Sequence, residues 1–464
     1  MLLAYPVNFS INGGYSMTIK SAMATAAGKS SYWFLHTFLK GGSSLPGKIT
    51  AALDPDILKT LGANYDVIVI TGTNGKTLTT ALTVKVLGAK YNHILTNSAG
   101  SNMEQGIITA FLTDKRKKNE RPLAILEVDE ANVIKVTQYI TPKAFVLTNI
   151  FRDQMDRYGE IYTTYKKIID GIKLAPEATI IANGDAPIFH SIDLPNPFVF
   201  YGFNHEEETE SLAPTNTDGV LCPVCQHILH YKIRTYANLG KYYCPNCHFS
   251  RPELDYQLTS LLEQTPTSSR FIIDGQPMEI HVGGLYNIYN ALAAYAVGRF
   301  LDVGPAAISN TLSEDDEQVF GRQELIQVDD KEITLILVKN PVGLDQVLDM
   351  IATDTEPFSL AFLLNANYAD GIDTSWIWDG NFEQLTQMNI PQFMTGGERY
   401  KDVSFRFKVA GVTDDQLIKE PDVSKVVDQL KSFPTKHIYV LATYTAVLQL
   451  RKSLASDGYI KEGM

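Results

Sequence analysis

The chain has 464 residues, 45% of them hydrophobic and 20% charged, an ordinary make-up for a soluble globular protein with room for two or three domains. Forty Lys and Arg against 52 Asp and Glu give a net charge of −12, which argues against a general nucleic-acid binder resting on clustered basic residues. No apolar run approaches the length of a membrane span.

The first element is a basic lead. Residues 1–53 hold no Asp or Glu, while Lys20, Lys29, Lys40 and Lys48 carry positive charge. Its aromatic stretch "YWFLHTFLK" (32–40) reads as a helix packing on the first domain, with a membrane-surface contact as the alternative. The lead lacks the charged start and cleavage site of a signal peptide. Met17 reads as a natural start, with residues 1–16 as an upstream extension.

Next comes "DVIVITGTNGKTLTT" (66–80), which reads as a buried strand, a glycine loop and a helix. The loop is G-x-x-G-K-T, a shortened form of the phosphate-binding G-x-x-x-x-G-K-[ST]. Such a loop aims backbone N–H groups at a phosphate, while Lys76 reaches the β- and γ-phosphates and the Thr77 hydroxyl holds Mg2+. Gly72, Thr73, Asn74, Gly75, Lys76 and Thr77 are therefore nucleotide-site candidates. The bland alternative is a glycine turn with an incidental Lys-Thr.

"PLAILEVDE" (122–130), "AFVLTNI" (144–150) and "ATIIANGD" (178–185) are apolar runs with polar ends, as strands of a buried parallel sheet are. Ligands of such a sheet sit at its carboxyl edge. Glu127, Asn149, Asp153 and Asp156 fall at those strand ends, and Glu127 is the kind of oxygen ligand Mg2+ takes.

All four cysteines lie in "CPVC" and "CPNC", a C-x2-C-x18-C-x2-C spacing that sets Cys222, Cys225, Cys244 and Cys247 around one zinc ion. Four thiolates close the shell, so this zinc is expected to be structural. Disulfides are the alternative, disfavoured in a chain without a secretory signal. The segment, about 218–252, looks like an insertion, after which the main domain is expected to resume near Phe271. "GLYNIYNALAAYAVGRF" (284–300) reads as a helix. Beyond "FGRQE" (320–324) a second alternation begins, with "ITLILV", "FSLAFLLNA", "PQFMTG" and "HIYVLA" as strands. The expected layout is an α/β protein: a lead over 1–60, a central ATP-binding domain over 61–320 with the inserted zinc ribbon, and a Rossmann-like α/β domain over 321–464.

The order of "GTNGKT", "EVDE", "TNIFRDQMD", "YNIYNALAA", "FGRQE" and "VKNP" resembles the Mur ligases, the ATP-dependent enzymes that extend the peptidoglycan stem peptide. The likeness runs from about Leu61 to the C-terminus. It implies ATP and Mg2+ as cofactors, with Lys76 and Thr77 on the phosphates and metal, Glu127 on Mg2+, and Asn287 (Asn290 its partner) and Arg322 on the nucleotide. Three departures stand out. Asp153-Gln154-Met155-Asp156 replaces the family's D-H-x-D. The family's carbamylated lysine falls by counting on Ile168, just after Lys166 and Lys167. "LVKNP" keeps only Asn340-Pro341 of D-x-x-H-N-P. These changes touch the amino-acid-adding side, so the ATP machinery carries over and the acceptor does not.

The four-cysteine insertion and "NANYADGIDTSWIWD" (365–379) narrow the resemblance to the branch that amidates lipid II. It implies ATP-dependent amidation of the D-glutamate α-carboxylate of the stem peptide to D-isoglutamine, through an acyl phosphate. It also implies ammonia from a GatD-type class I glutaminase and a cytoplasmic protein at the inner face of the membrane; a zinc-ribbon module binding nucleic acid is disfavoured by the net charge of −12 and the intact phosphate loop. Such glutaminases use a Cys nucleophile with His; here every cysteine is committed to zinc, so a partner must supply both. Asp373 carries over as the catalytic carboxylate orienting that histidine across the interface, with Asp370 as its rival. The local reading of Asp373 is an N-cap for "TSWIWD". The alternative function is a stand-alone Mur-type ligase adding an amino acid to a precursor.

Overall fold

A computed structural model describes the chain except residues 1–7, 10–16, 40–43, 98–100, 116–121, 154–159, 206–208, 214–217, 315–322 and 462–464. Two sheets organise it. The larger has nine strands, in spatial order Gln276–Ile280, Ser269–Ile273, Tyr256–Gln264, Phe198–Phe203, Thr179–Asn183, Ala144–Leu147, Asp66–Thr71, Leu123–Glu127 and Ile94–Thr96. From Tyr256–Gln264 onward all neighbours are parallel, and the first two strands form an antiparallel hairpin at the edge.

The central strand shows why this order holds. Val67, Ile68, Val69 and Ile70 are each 0% exposed, the unbroken apolar run that a sheet covered on both faces requires. Its flanking strands end at Glu127 and Leu147, so their tips converge on the glycine loop that follows Thr71. The helices Lys76–Gly88 and Leu285–Phe300 pack on each other beside that loop. A Cβ on Gly298 would stand 2.7 Å from Val86 Cγ1, so the small residue sets how closely the two helices approach.

The second sheet has six strands: Glu324–Val328, Lys331–Leu337, His437–Ala442, Phe358–Leu363, Phe393–Gly396 and Leu417–Glu420. The first pair is antiparallel and the rest are parallel. The α/β class and both alternations agree with the sequence reading. One expectation is corrected: the main sheet resumes at Tyr256, well before Phe271. Tyr256–Gln264 lies near the sheet edge and is largely half-buried or exposed, so it lacks the apolar run that marks its inner neighbours.

The lead packs on the main domain through the helices Ile19–Leu39 and Leu45–Leu53. A Cβ on Gly47 would stand 1.8 Å from the Gln105 carbonyl, which places Leu45–Leu53 directly against the helix Glu104–Thr113. The cysteine segment carries its own small sheet of Ser211–Leu212, His230–Arg234 and Gly240–Tyr243.

Candidate active site

The glycine loop is held open by its neighbours. Gly72 and Gly75 have φ of +133° and +81°, a region other residues rarely adopt. A Cβ on Gly72 would stand 2.3 Å from Thr148 Oγ1, and one on Gly75 2.1 Å from Asn290 Oδ1. Thr73 N donates to Asn149 O and Asn74 N to Asn149 Oδ1, both at 2.8 Å, while Asn149 Nδ2 donates back to Asn74 O at 3.1 Å. Asn149 therefore shapes the loop itself. The amides at the start of Lys76–Gly88 remain, the orphan donors that make a helix N-terminus an anion site.

Lys76 is not the solvated loop lysine that its position in a turn suggests; it is 8% exposed. Its ammonium donates to Glu130 Oε2 at 3.2 Å, to Thr73 O at 3.4 Å and to Gly72 O. Burial alone would lower its pKa, but the carboxylates of Glu130, Asp129, Glu127 and Asp153 outweigh that and hold it above the ordinary lysine value. Burial pushes the Glu130 carboxyl up, against the pull of Lys76. Glu127 is 3% exposed, and Asn102 Nδ2 donates to its Oε1 at 3.3 Å. Asn97 pins the Glu127 backbone from both sides, at 2.9 Å each.

A second cation arrives from the other domain. Lys339 pairs with Asp153 and donates to Thr73 O at 3.3 Å. Sequence reasoning missed Lys339 and Glu130; the basic residue directly before Asn340-Pro341, at the end of a strand, was the available signal. Around the loop four carboxylates (Glu127, Asp129, Glu130, Asp153) now face two ammonium groups (Lys76, Lys339). That excess of buried oxygen charge fits a divalent cation such as Mg2+, with Glu127 and the part-exposed Thr77 as the residues to hold it. Asp156 and Arg322 lie outside the described residues. Lys166 faces solvent in an i,i+4 pair with Asp170 at 2.7 Å, and Ile168 is buried.

The loop opens into a cleft between the two domains, lined by Asn74, Tyr236, Tyr286, Asn287, Asn340 and Val347 among others. Asn74 and Asn340 bridge it, exchanging amide bonds of 2.9 and 3.3 Å. Asn340 also N-caps the helix Pro341–Ile351, accepting from Gly343 N at 2.8 Å. Asn287 donates to Gly283 O at 2.7 Å and accepts from Asn290 Nδ2 at 3.2 Å. Gln323, next to Arg322, accepts from Gly283 N and donates to Gly283 O and the Tyr286 hydroxyl, each at 2.9 Å.

Tyr236 reaches this cleft from the cysteine segment, at the turn between His230–Arg234 and Gly240–Tyr243. Buried Asp185 anchors that hairpin: Arg251 Nη1 and the Tyr289 hydroxyl donate to it at 2.8 and 2.6 Å, and Gly240 N donates to its carbonyl at 3.0 Å. At the other end, Cys222 and Cys247 Sγ are 3.5 Å apart, as are Cys225 and Cys244, and all four sulfurs lie within 4.8 Å of one another. No disulfide joins them. Sulfurs bonded to one zinc at about 2.3 Å stand roughly 3.8 Å apart, so the donor set fits a single tetrahedral ion.

The two aspartates of the 365–379 loop differ. Asp370 is 4% exposed and accepts from Thr445 N at 2.7 Å, Thr445 Oγ1 at 2.5 Å and Asn367 N at 3.0 Å, so it latches the loop to the start of the helix Tyr444–Ser456. Asp373 is exposed and accepts from Ser375 N at 2.8 Å. That backbone bond holds its carboxyl below the usual carboxylate range. The capping reading of Asp373 is corrected: the short helix Ser375–Trp378 has Thr374 as its N-cap, and Asp373 instead closes a turn just before it through its bond from Ser375 N. Tyr368, Ile372 and Trp378 around it are 75%, 64% and 46% exposed.

A phosphate loop at the carboxyl edge of a parallel sheet, faced by a second α/β domain across a cleft, defines a Mur-type ligase fold. Residues 70–247 match the Mur ligase middle domain, and residues 337–447 match the family described as MurT ligase C-terminal. The chain is 50% identical over 448 residues to the Streptococcus pneumoniae lipid II isoglutaminyl synthase (glutamine-hydrolyzing) subunit MurT, covering 97% of this chain and 100% of that one. The subunit of the same name from Staphylococcus aureus strain COL is 33% identical over 426 residues, 89% of this chain and 93% of that one. The chain belongs to the MurT family. Among solved structures, a pseudomurein peptide ligase type C from Methanothermus fervidus shares the fold with a TM-score of 0.65 at 20% identity, over 87% of this chain and 81% of that one. MurF ligase from Thermotoga maritima, in complex with ADP, does so at 0.60 and 13% identity, over 89% and 84%.

Proposed function

We propose that the chain is the ATP-consuming subunit of a lipid II isoglutaminyl synthase, converting the D-glutamate α-carboxylate of the stem peptide to the D-isoglutamine amide at the cytoplasmic face of the membrane. ATP supplies the phosphoryl group that activates the carboxylate: the carboxylate oxygen bonds to the γ-phosphorus as its bond to ADP breaks, ammonia then bonds to the acyl carbon, and phosphate leaves as nitrogen gives up a proton. Lys76, with Lys339 from the facing domain, offers positive charge where the phosphoryl oxygens gain negative charge. Glu130 and Asp153 hold those ammonium groups at the loop until a nucleotide competes for them. Asn149 fixes the loop, and Asn287 and Asn340 line the cleft on either side.

The observation that carries the amidation reading is the separation of a built phosphate site from any nitrogen source. All four cysteines lie within reach of one ion, which leaves no thiol for glutamine hydrolysis. A GatD-type glutaminase subunit supplies the ammonia, and Asp373, on an exposed loop with Tyr368, Ile372 and Trp378, reaches its catalytic histidine. The test is reconstitution with such a partner, ATP, glutamine and lipid II, followed by mass spectrometry of the stem peptide. Amidated lipid II supports the reading; ligation of a free amino acid by the chain alone would replace it with a stand-alone ligase.

A further inference from the structure

The helix Ile19–Leu39 has two unlike faces. Ser21, Ala24 and Gly28 are buried, and a Cβ on Gly28 would stand 2.1 Å from Thr50 Oγ1 and 2.8 Å from Leu112 Cδ1. On the other side Ile19, Met23, Trp33, Phe34 and Phe38 are 48%, 68%, 62%, 52% and 62% exposed. At 3.6 residues per turn these five positions fall within an arc of about 140°, opposite the buried three. The rings touch one another, Phe34 to Phe38 at 5.1 Å and Trp33 to Phe38 at 6.0 Å, and so form one patch. Three exposed rings in contact, with Ile19 and Met23 on the same side of the helix, mark a binding surface, unlike single exposed hydrophobic residues.

Charge identifies the occupant. The first 53 residues hold four lysines and no acid; set against −12 overall, this leaves −16 on the rest of the chain. By helical position Lys20 and Lys29 stand at opposite borders of the stripe, and both are exposed. Lys20 also reaches Asp54 at 3.6 Å while its side chain stays 61% exposed. Lys48, on the neighbouring helix, is exposed too. A Trp- and Phe-bearing stripe bordered by lysines and free of carboxylates suits the headgroup layer of an anionic bilayer, where rings enter the acyl boundary and ammonium groups meet phosphates. A second copy of the chain would instead bring lysine against lysine.

We propose that the helix Ile19–Leu39 is a membrane-surface anchor that lays Ile19, Met23, Trp33, Phe34 and Phe38 into an anionic lipid layer. The anchor would hold the cleft at the surface that carries a lipid-linked acceptor, but its binding to lipid does not depend on amidation.

The test uses the full-length, zinc-loaded chain and vesicles without acceptor, made of phosphatidylcholine alone or mixed with phosphatidylglycerol. The chain should sediment with the mixed vesicles, less with phosphatidylcholine alone, and be released as salt rises. The triple variant Trp33→Ser, Phe34→Ser, Phe38→Ser should lose at least about tenfold in vesicle affinity. Lys29→Glu with Lys48→Glu should weaken binding to the mixed vesicles alone. ADP affinity and zinc content should stay unchanged in both variants. Equal vesicle binding by wild type and triple variant would overturn the proposal. So would loss of ADP binding in the triple variant, which marks a structural role, or a change from dimer to monomer in light scattering, which marks a second copy as the occupant. Because the vesicles contain no lipid II, failure here leaves the amidation reading intact, and failure of amidation leaves this result intact.

Discussion

The phosphate loop and the 365–379 loop both sit at strand ends, yet they are built in opposite ways. At the phosphate loop the polar groups are paired and mostly buried: Lys76 with Glu130, the half-buried Lys339 with Asp153, Asn149 with both backbone groups of Asn74. At the other loop Asp370 is buried and fully engaged, while Asp373, Tyr368, Ile372 and Trp378 face outward. On the proposed function the first region is complete within one chain and takes only the nucleotide, its metal and the acceptor. The second is a presented surface whose carboxylate is held by Ser375 and faces outward. On the proposed function, the contrast corresponds to phosphoryl chemistry in this chain and nitrogen release in another.

The largest expected effect breaks the complete side. Lys76→Ala should cut amidation at least about a thousandfold, with glutamine and with free ammonia alike, because the transferring phosphoryl group loses a buried cation. It should also lower stability, since Glu130 is left buried without its partner. Adding Glu130→Gln should recover thermal stability but not turnover. Recovery of turnover would show that Lys76 serves only to balance Glu130. Lys339→Met should act in the same direction more mildly, raising the KM for ATP and lowering kcat.

A smaller effect tests whether the cysteine module belongs to the complete side. Cys222→Ser should release the metal and loosen the hairpin that carries Tyr236 to the cleft. ADP affinity should then fall about tenfold, equivalent to about 1.4 kcal/mol, as read by calorimetry. Unchanged affinity with the metal gone would separate the module from the nucleotide site.

The smallest effect concerns the helix Pro341–Ile351, which joins the two regions. It begins at Asn340 in the cleft, and its Asp345 accepts from Asn381 N at 2.7 Å just beyond the outward loop. Burial pushes the Asp345 carboxyl up to about 6. A carboxyl with a raised folded-state pKa favours folding while protonated, so its contribution is lost as pH rises from about 4 through about 6. Asp345→Asn keeps the acceptor for Asn381 and removes the half-buried charge. It should raise Tm by roughly 2–4 °C at pH 7.5 and make no difference at pH 4, as scanned by calorimetry.

The two regions also differed in how far they could be read from residues alone. Gly72, Gly75 and the four cysteines announce themselves because backbone conformation and ligand geometry demand those residue types at close spacing in the chain. Glu130, Lys339 and Gln323 did not, because their roles arise from pairing across long sequence separations. Tyr236 reaches the cleft only because the inserted hairpin folds back to Asp185, which spacing does not show. Asp370 and Asp373 are equivalent as letters three residues apart; only burial and the Thr445 bonds separate a latch from an available carboxylate.

The most direct test of the division between the two regions is the nitrogen-source dependence of Asp373→Asn in the reconstituted complex. Amidated lipid II should be measured with glutamine and, separately, with concentrated ammonium at high pH. With glutamine the rate should fall by roughly 10²–10⁴, the cost of a misoriented catalytic imidazole. With ammonia it should stay near wild type. Equal loss with both sources would place Asp373 in folding or acceptor binding, and no loss with glutamine would contradict its role at the partner's histidine.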